Sequence, residues 1–163
     1  MIPFAAVPGA LVTVDPGKRR CGVAVWLDGV LVWAARVAGP PTPSGLAARV
    51  VAVVTAHGGG GAVWVIEDQQ NYPGHDGRKG DLDSLRRVVA QLCRRVESVD
   101  LVRPAKWKGN VPKTVHHARC AQVLSDAERR RHATDVDTLD AVALGLWALR
   151  RTGRGGTRPD QPG

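Results

Sequence analysis

The run Ala62-Val63-Trp64-Val65-Ile66 lies between four consecutive glycines, Gly58 to Gly61, and the acidic Glu67. Five unbroken apolar residues are too few for a helix and show no alternation, so they predict a central strand covered on both faces. Such a sheet needs helices on either side, and the flanking sequence supplies them. Ser44 can cap a helix whose apolar positions Leu46, Val50, Val53 and Val54 keep helical spacing up to the glycines. Beyond Glu67, a helix from about Asp81 to Val96 carries Leu82, Leu85, Val89, Leu92 and Val96 on one stripe, and another from Asp137 to Arg150 carries Leu139, Val142, Leu146 and Leu149.

Ahead of that strand the chain reads as three antiparallel strands. Ala10 to Val14 is apolar and ends at Asp15, Pro16 to Arg20 form a turn, and Cys21 to Leu27 resume strand chemistry. Asp28-Gly29 then suits a type I′ hairpin, whose two central residues need positive φ, with Val30 to Val37 returning. Asp68 to Gly80 is a polar loop. Val99 to Val102 is a brief strand, a Pro-interrupted basic stretch runs to about Val111, and Lys113 to Leu124 can be helical. The order predicts an α/β domain over residues 1–151, its mixed sheet made of three antiparallel strands followed by parallel strands and flanked by helices. Residues 152–163, rich in Gly, Pro and Arg, are expected to form a disordered basic tail.

Composition narrows the partners. The 163 residues carry a formal net charge of +8, so the surface attracts polyanions, with nucleic acid foremost; a generally basic surface without a ligand is the plainer alternative. The three cysteines, Cys21, Cys93 and Cys120, are odd in number and far apart, unlike a disulfide framework, which fits a cytoplasmic setting. Met1 to Ala10 lacks a basic n-region and no stretch approaches eighteen apolar residues, so neither a signal peptide nor a membrane span is expected.

Four carboxylates sit where sheet chemistry gathers ligands. Asp15 ends the first strand and Glu67 ends the central one, so in parallel neighbours the two converge at one sheet edge. Asp137 and Asp140 are three residues apart at the start of the last helix, on one face, where the helix terminus favours negative charge. Such a cluster requires cations, and hard oxygen donors select magnesium, with manganese able to substitute. Two ions per site would suit phosphodiester cleavage. Each acid also has a simpler reading: Asp15 as a turn residue before Pro-Gly, Glu67 as a solvated strand end, Asp135 or Asp137 as a helix cap.

Val12-Thr-Val-Asp15-Pro-Gly17, followed by Cys21-Gly-Val-Ala24, resembles the first strand and turn of the RuvC-type Holliday-junction resolvases. Val65-Ile-Glu67 is similar to their second acidic motif, and Asp137-Thr-Leu-Asp140-Ala-Val-Ala-Leu-Gly145 to their carboxy-terminal acidic helix. The three occur in family order over about Leu11 to Leu149. The resemblance implies an RNase H-like fold, a homodimer, and a four-way DNA junction cut by paired nicks. It also implies that Asp15, Glu67, Asp137 and Asp140 hold two magnesium ions.

Leu101 to Ser125 contains Arg103, Lys106, Lys108, Lys113 and Arg119 without a single acid, a pattern suited to phosphate contact rather than to a solvated face. Lys108-Gly-Asn-Val-Pro-Lys113 resembles the Gly-x-x-x-Lys segment of these resolvases, which implies that Lys113 approaches the scissile phosphate, with Lys106 and Lys108 as second contacts. Arg78, Lys79 and Arg119 are further candidates for DNA binding. Tyr72 stands near the family's wedge position, although Gln69, Gln70 and Asn71 precede it, and it can either stack on a base or belong to a plain Tyr-Pro-Gly turn. Trp107, between two lysines, can stack on nucleic acid or pack the loop to the domain. His116, His117 and Cys120 lack a fourth ligand for a zinc site.

The expected activity is therefore resolution of branched DNA. Its rivals are a flap or fork nuclease of the same fold and a non-catalytic branched-DNA-binding module. Clustered acids argue against the latter, because negative charge does not help bind DNA. An actin-like or sugar-kinase ATPase would need a second such domain.

Overall fold

The computed structural model describes residues 9–69 and 79–150. Five strands form one sheet: β1 Ala10–Asp15, β2 Arg20–Leu27, β3 Val30–Ala38, β4 Val63–Glu67 and β5 Ser98–Val102, in the order β3-β2-β1-β4-β5. β1, β2 and β3 pair antiparallel, whereas β4 lies parallel to β1 and β5 parallel to β4. The mixed sheet expected from the sequence is thus the one observed. Asp28 and Gly29 have φ of 49° and 79°, as the type I′ turn between β2 and β3 requires.

The six helices among the described residues are α1 Pro43–Ala56, α2 Lys79–Arg95, α3 Pro104–Trp107, α4 Lys113–Val123, α5 Asp126–Arg129 and α6 Val136–Ala148. Strand alternation divides the core between the two faces of the sheet. Val12, Val14, Val23, Val25, Trp64 and Ile66 point to one face, where Val50 and Val54 of α1 and Val88 and Leu92 of α2 cover them. Leu11, Ala24, Trp26 and Val65 point to the other, beneath α6, with Trp107, Cys120 and Leu124 around its margin. β4 is buried from both sides, which is why its sequence is uniformly apolar. β3, at the sheet edge, is partly covered by the segment after α5, where Ala34 N donates to Arg131 O at 3.1 Å.

Several local expectations change. The cap of α1 is Thr42, whose Oγ1 accepts from Gly45 N at 3.0 Å, because Pro43 is preset for the first helical position and moves the start upstream of Ser44. α2 begins at Lys79, two residues early. Its stripe centres on Val88, Val89 and Leu92, while Leu82, Leu85 and Val96 are half-buried. α6 is buried on nearly every side rather than along one stripe, since it lies between the sheet and α4, and the half-buried Leu139 and Leu149 flank its core. The one-turn helices α3 and α5 are too short for periodicity to reveal. Among the described residues no helix is long and apolar enough to cross a membrane. The expected tail, residues 152–163, lies outside the described residues.

Candidate active site

Parity along neighbouring strands brings the first two acids together. Val14 of β1 is level with Ile66 of β4, so Asp15 and Glu67 follow at the carboxyl ends of adjacent parallel strands. Both belong to the alternating set that contains Leu11, Thr13 and Val65, and so face α6. α6 is held close to that face by a buried hydrogen bond from Thr13 Oγ1 to Ala141 O at 2.7 Å, and Thr13 in turn accepts from Trp26 Nε1 at 3.2 Å. Two glycines permit the approach. A Cβ at Gly145 would lie 2.3 Å from the Trp26 ring, and one at Gly22 1.8 Å from Asp137 O. The docked helix sets Asp140, one residue before Ala141, into the same region, and Asp140 is buried.

The three acids act on one another electrically. Burial pushes the Asp15 carboxyl up to about 8, with the charges of Glu67 and Asp140 adding to the effect and Lys108 and Lys113 opposing it. Burial would raise Asp140 as well, but Lys113 Nζ at 2.7 Å from Oδ2 and His117 Nε2 at 2.8 Å from Oδ1 outweigh it and hold that carboxyl below its ordinary value. Lys113, exposed along much of its side chain, is raised above the usual lysine value because the pull of Asp140, aided by Asp15 and Glu67, exceeds the cost of its partial desolvation. Glu67 has both oxygens engaged. Gln69 Nε2 donates to Oε1, while Trp107 Nε1 and Lys108 Nζ reach Oε2 at 2.9 and 2.8 Å.

Asp137 stands apart. Its Oδ2 pairs with Arg20 Nε at 3.4 Å, and the charges that chiefly raise Asp15 are those of Glu67 and Asp140 instead. Asp135 caps α6, accepting from Thr138 N at 2.9 Å and Thr138 Oγ1 at 2.7 Å, the simpler reading open to acids at that end. Of the basic candidates, Lys108 and Lys113 lie at the acids, and Lys106 and Arg119 are exposed on the same basic segment. Lys79 opens α2. Tyr72 and Arg78 lie outside the described residues. Trp107 is buried and packs the segment to the domain, which rules out the stacking alternative for the state described. His117 bonds Asp140 rather than joining His116 and Cys120 around zinc. Sequence reasoning did not assign His117 or Gln69 to the site. His117 follows Lys113 by four residues in α4, and that spacing was the available signal for two groups reaching one carboxylate.

Among the described residues no group of three or more His, Cys, Asp or Glu side chains is gathered closely enough to hold a metal ion. The donor chemistry nevertheless fits a hard divalent cation. Asp15, Glu67 and Asp140 supply only oxygen, they come from three different elements, and their mutual repulsion is not fully offset by the two lysines.

No protein-family model matches the chain, and no curated protein matches it in sequence. Solved structures do match in fold. RuvC of T. thermophilus in complex with a Holliday junction substrate superposes with a TM-score of 0.61 at 17% identity, covering 85% of this chain and 91% of that one. A second structure of Thermus thermophilus RuvC gives 0.58 at 18% identity, over 85% and 92%. The chain has the RuvC-like, RNase H-like fold.

Proposed function

We propose that this RuvC-like chain is a divalent-metal-dependent endonuclease that resolves four-way DNA junctions. The observation that carries the reading is the convergence of Asp15 and Glu67, level at the ends of adjacent parallel strands, with Asp140 on the helix above and two lysines at their margin. The shared fold with a protein seen on a Holliday junction supports the choice of branched DNA. Asp15, Glu67 and Asp140 would form the core of the ligand set for magnesium, two ions per site, with Asp137 at its rim; manganese would substitute. Bound there, the ions would lower the pKa of the attacking water and stabilise the leaving oxygen.

The remaining work falls to the chain's own groups. Lys113 exchanges its carboxylate for the phosphate to be cut, placing positive charge where negative charge develops. Lys106, Lys108 and Arg119, with Arg78 and Lys79, neutralise the neighbouring backbone and make affinity salt-dependent and indifferent to sequence. Tyr72 stacks at the junction centre. Because one domain has one site, paired nicks require a homodimer. The three cysteines are all free, in keeping with a cytoplasmic setting.

Incubation with synthetic four-way junctions, forks, flaps and linear duplexes, with and without magnesium, tests the reading. Paired, magnesium-dependent nicks in the junction are expected. Preferential cutting of flaps or forks would replace the resolvase with a flap or fork nuclease, and binding without cutting would leave a DNA-binding module.

A further inference from the structure

Glu67 ends a strand, so its backbone is fixed while its side chain keeps three rotatable bonds. Burial leaves it 1% exposed, and its position must therefore come from its partners. Lys108 is one of them, but it is a flexible ammonium, 24% exposed, that neutralises the charge it approaches. Trp107 differs on every count. It is 6% exposed, sits in the core beneath α6, and donates from Nε1 to Glu67 Oε2 at 2.9 Å. An indole N–H is a donor only and never ionises, so it can direct a carboxylate and leave its charge intact for a cation.

Trp107 also anchors the basic segment. It closes the single turn of α3, in which Lys108 N donates to Pro104 O at 2.8 Å and Pro104 is buried beside it. The Lys108 ammonium lies 4.8 Å from the centroid of the Trp107 ring, and the His116 ring packs against the same indole at 5.2 Å. One side chain thus touches an acid of the site, a lysine beside it and the helix that carries Lys113 and His117.

We infer that Trp107 is a positioning residue of the acidic site: its N–H fixes Oε2 of the Glu67 carboxylate, whose Oε1 Gln69 holds, while its ring seats the segment from Arg103 to His117 against it. The inference rests on the nuclease reading for its consequence in catalysis, but the bond itself does not. Groups that orient ligating carboxylates change metal affinity or activity about 10- to 100-fold when removed. Phenylalanine fills most of the indole's space and lacks the donor, so Trp107→Phe separates positioning from packing.

The five tryptophans give five indole N–H signals in a ¹H–¹⁵N spectrum, and Trp107→Phe identifies the one that vanishes, while the other four, unmoved, report an intact fold. The Trp107 signal is expected to shift on Glu67→Gln and, in the wild type, on titration with magnesium, with the other four nearly still. Trp107→Phe should lower the single-turnover rate on a synthetic junction about 10- to 100-fold, with metal-free junction affinity kept within about twofold. A Trp107 signal indifferent to both Glu67→Gln and magnesium, or a Trp107→Phe protein that cuts at the wild-type rate, would overturn the inference. A wild-type protein that cuts no branched DNA would remove the nuclease reading alone. The response of the Trp107 signal then still decides the positioning role.

Discussion

Lys113 Nζ lies 2.7 Å from Asp140 Oδ2, joining the basic segment to the last helix across an exposed side chain on one partner and a buried one on the other. A lysine so placed can bind phosphate and also stabilise charge developing at the reaction centre. Lys113→Ala is expected to reduce the cleavage rate at saturating junction by about a hundredfold. Lys106→Ala should chiefly weaken binding and reduce the salt slope by about one. Cleavage and gel-shift titrations at several salt concentrations check both. Equal, purely affinity-based losses would show Lys113 to be a phosphate contact and no more.

On the nuclease reading, Asp15→Asn, Glu67→Gln and Asp140→Asn are each expected to abolish magnesium-dependent cleavage while preserving junction binding, because each would remove a proposed ligand and at the same time reduce repulsion toward phosphate. Asp137→Asn should be milder, since Asp137 pairs with Arg20 at the rim. Single-turnover assays of the four variants give the order. If Asp137→Asn is as inactive as Asp140→Asn, Asp137 belongs to the inner set.

The Asp15 carboxyl, pushed up to about 8 chiefly by burial, makes metal-free stability depend on pH. Its folded-state value lies above the unfolded one, so the native state binds the extra proton between the two. Stability falls as pH rises from about 4 to about 8, by on the order of a few kcal/mol at most, and levels beyond. Urea denaturation at pH 5, 7 and 9 without divalent ions should show this slope, and Asp15→Asn should flatten it. Magnesium should restore stability more at pH 8 than at pH 6, because the ion binds the deprotonated form.

Gly145→Ala tests the docking of α6. The added carbon would lie 2.3 Å from the Trp26 ring, which is itself tied to Thr13, so the helix must move outward and carry Asp140 with it. A loss of about 1–3 kcal/mol in thermal or urea denaturation is expected, together with reduced cleavage. Unchanged stability would mean that Trp26 yields and α6 stays in place.

Assembly is the remaining prediction. Val88, Val89 and Leu92 of α2 face the core with α1, so the apolar stripe of this helix is largely used within the chain. Sedimentation on a junction should still show twice the 17.4 kDa chain mass, as paired nicking requires. Leu85→Glu, on the half-buried margin of α2, should weaken that dimer if the interface lies there. A monomer on the junction that nicks one strand would favour the flap or fork nuclease.

The legible parts of the sequence were those written in a local period or a turn. Asp28-Gly29 specified its hairpin, the apolar run before Glu67 specified a strand covered twice, and the ends of two strands specified Asp15 and Glu67. The pairing of Trp107 with Glu67 spans forty residues and depends on how α3 meets β4, which no local pattern records. Burial all round α6 was misread as a stripe, because the sequence does not say that α4 covers the side away from the sheet. The cap of α1 shifted to Thr42 through a single proline. His117 was legible only in part, since its spacing from Lys113 shows a shared face but not the carboxylate that both reach.

α6 follows all the strands of the described sheet, yet it supplies Asp140 and covers the sheet face bearing Leu11, Ala24 and Val65. During synthesis, all five strands leave the ribosome before the helix that completes the site, and that face stays bare until residues 136–148 emerge. Until then the nascent chain carries Asp15 and Glu67 on an unfinished surface that lacks Asp140. On the nuclease reading, the site is complete only once the core closes, so a chain interrupted before α6 would expose an apolar sheet face prone to aggregation without an assembled acidic site.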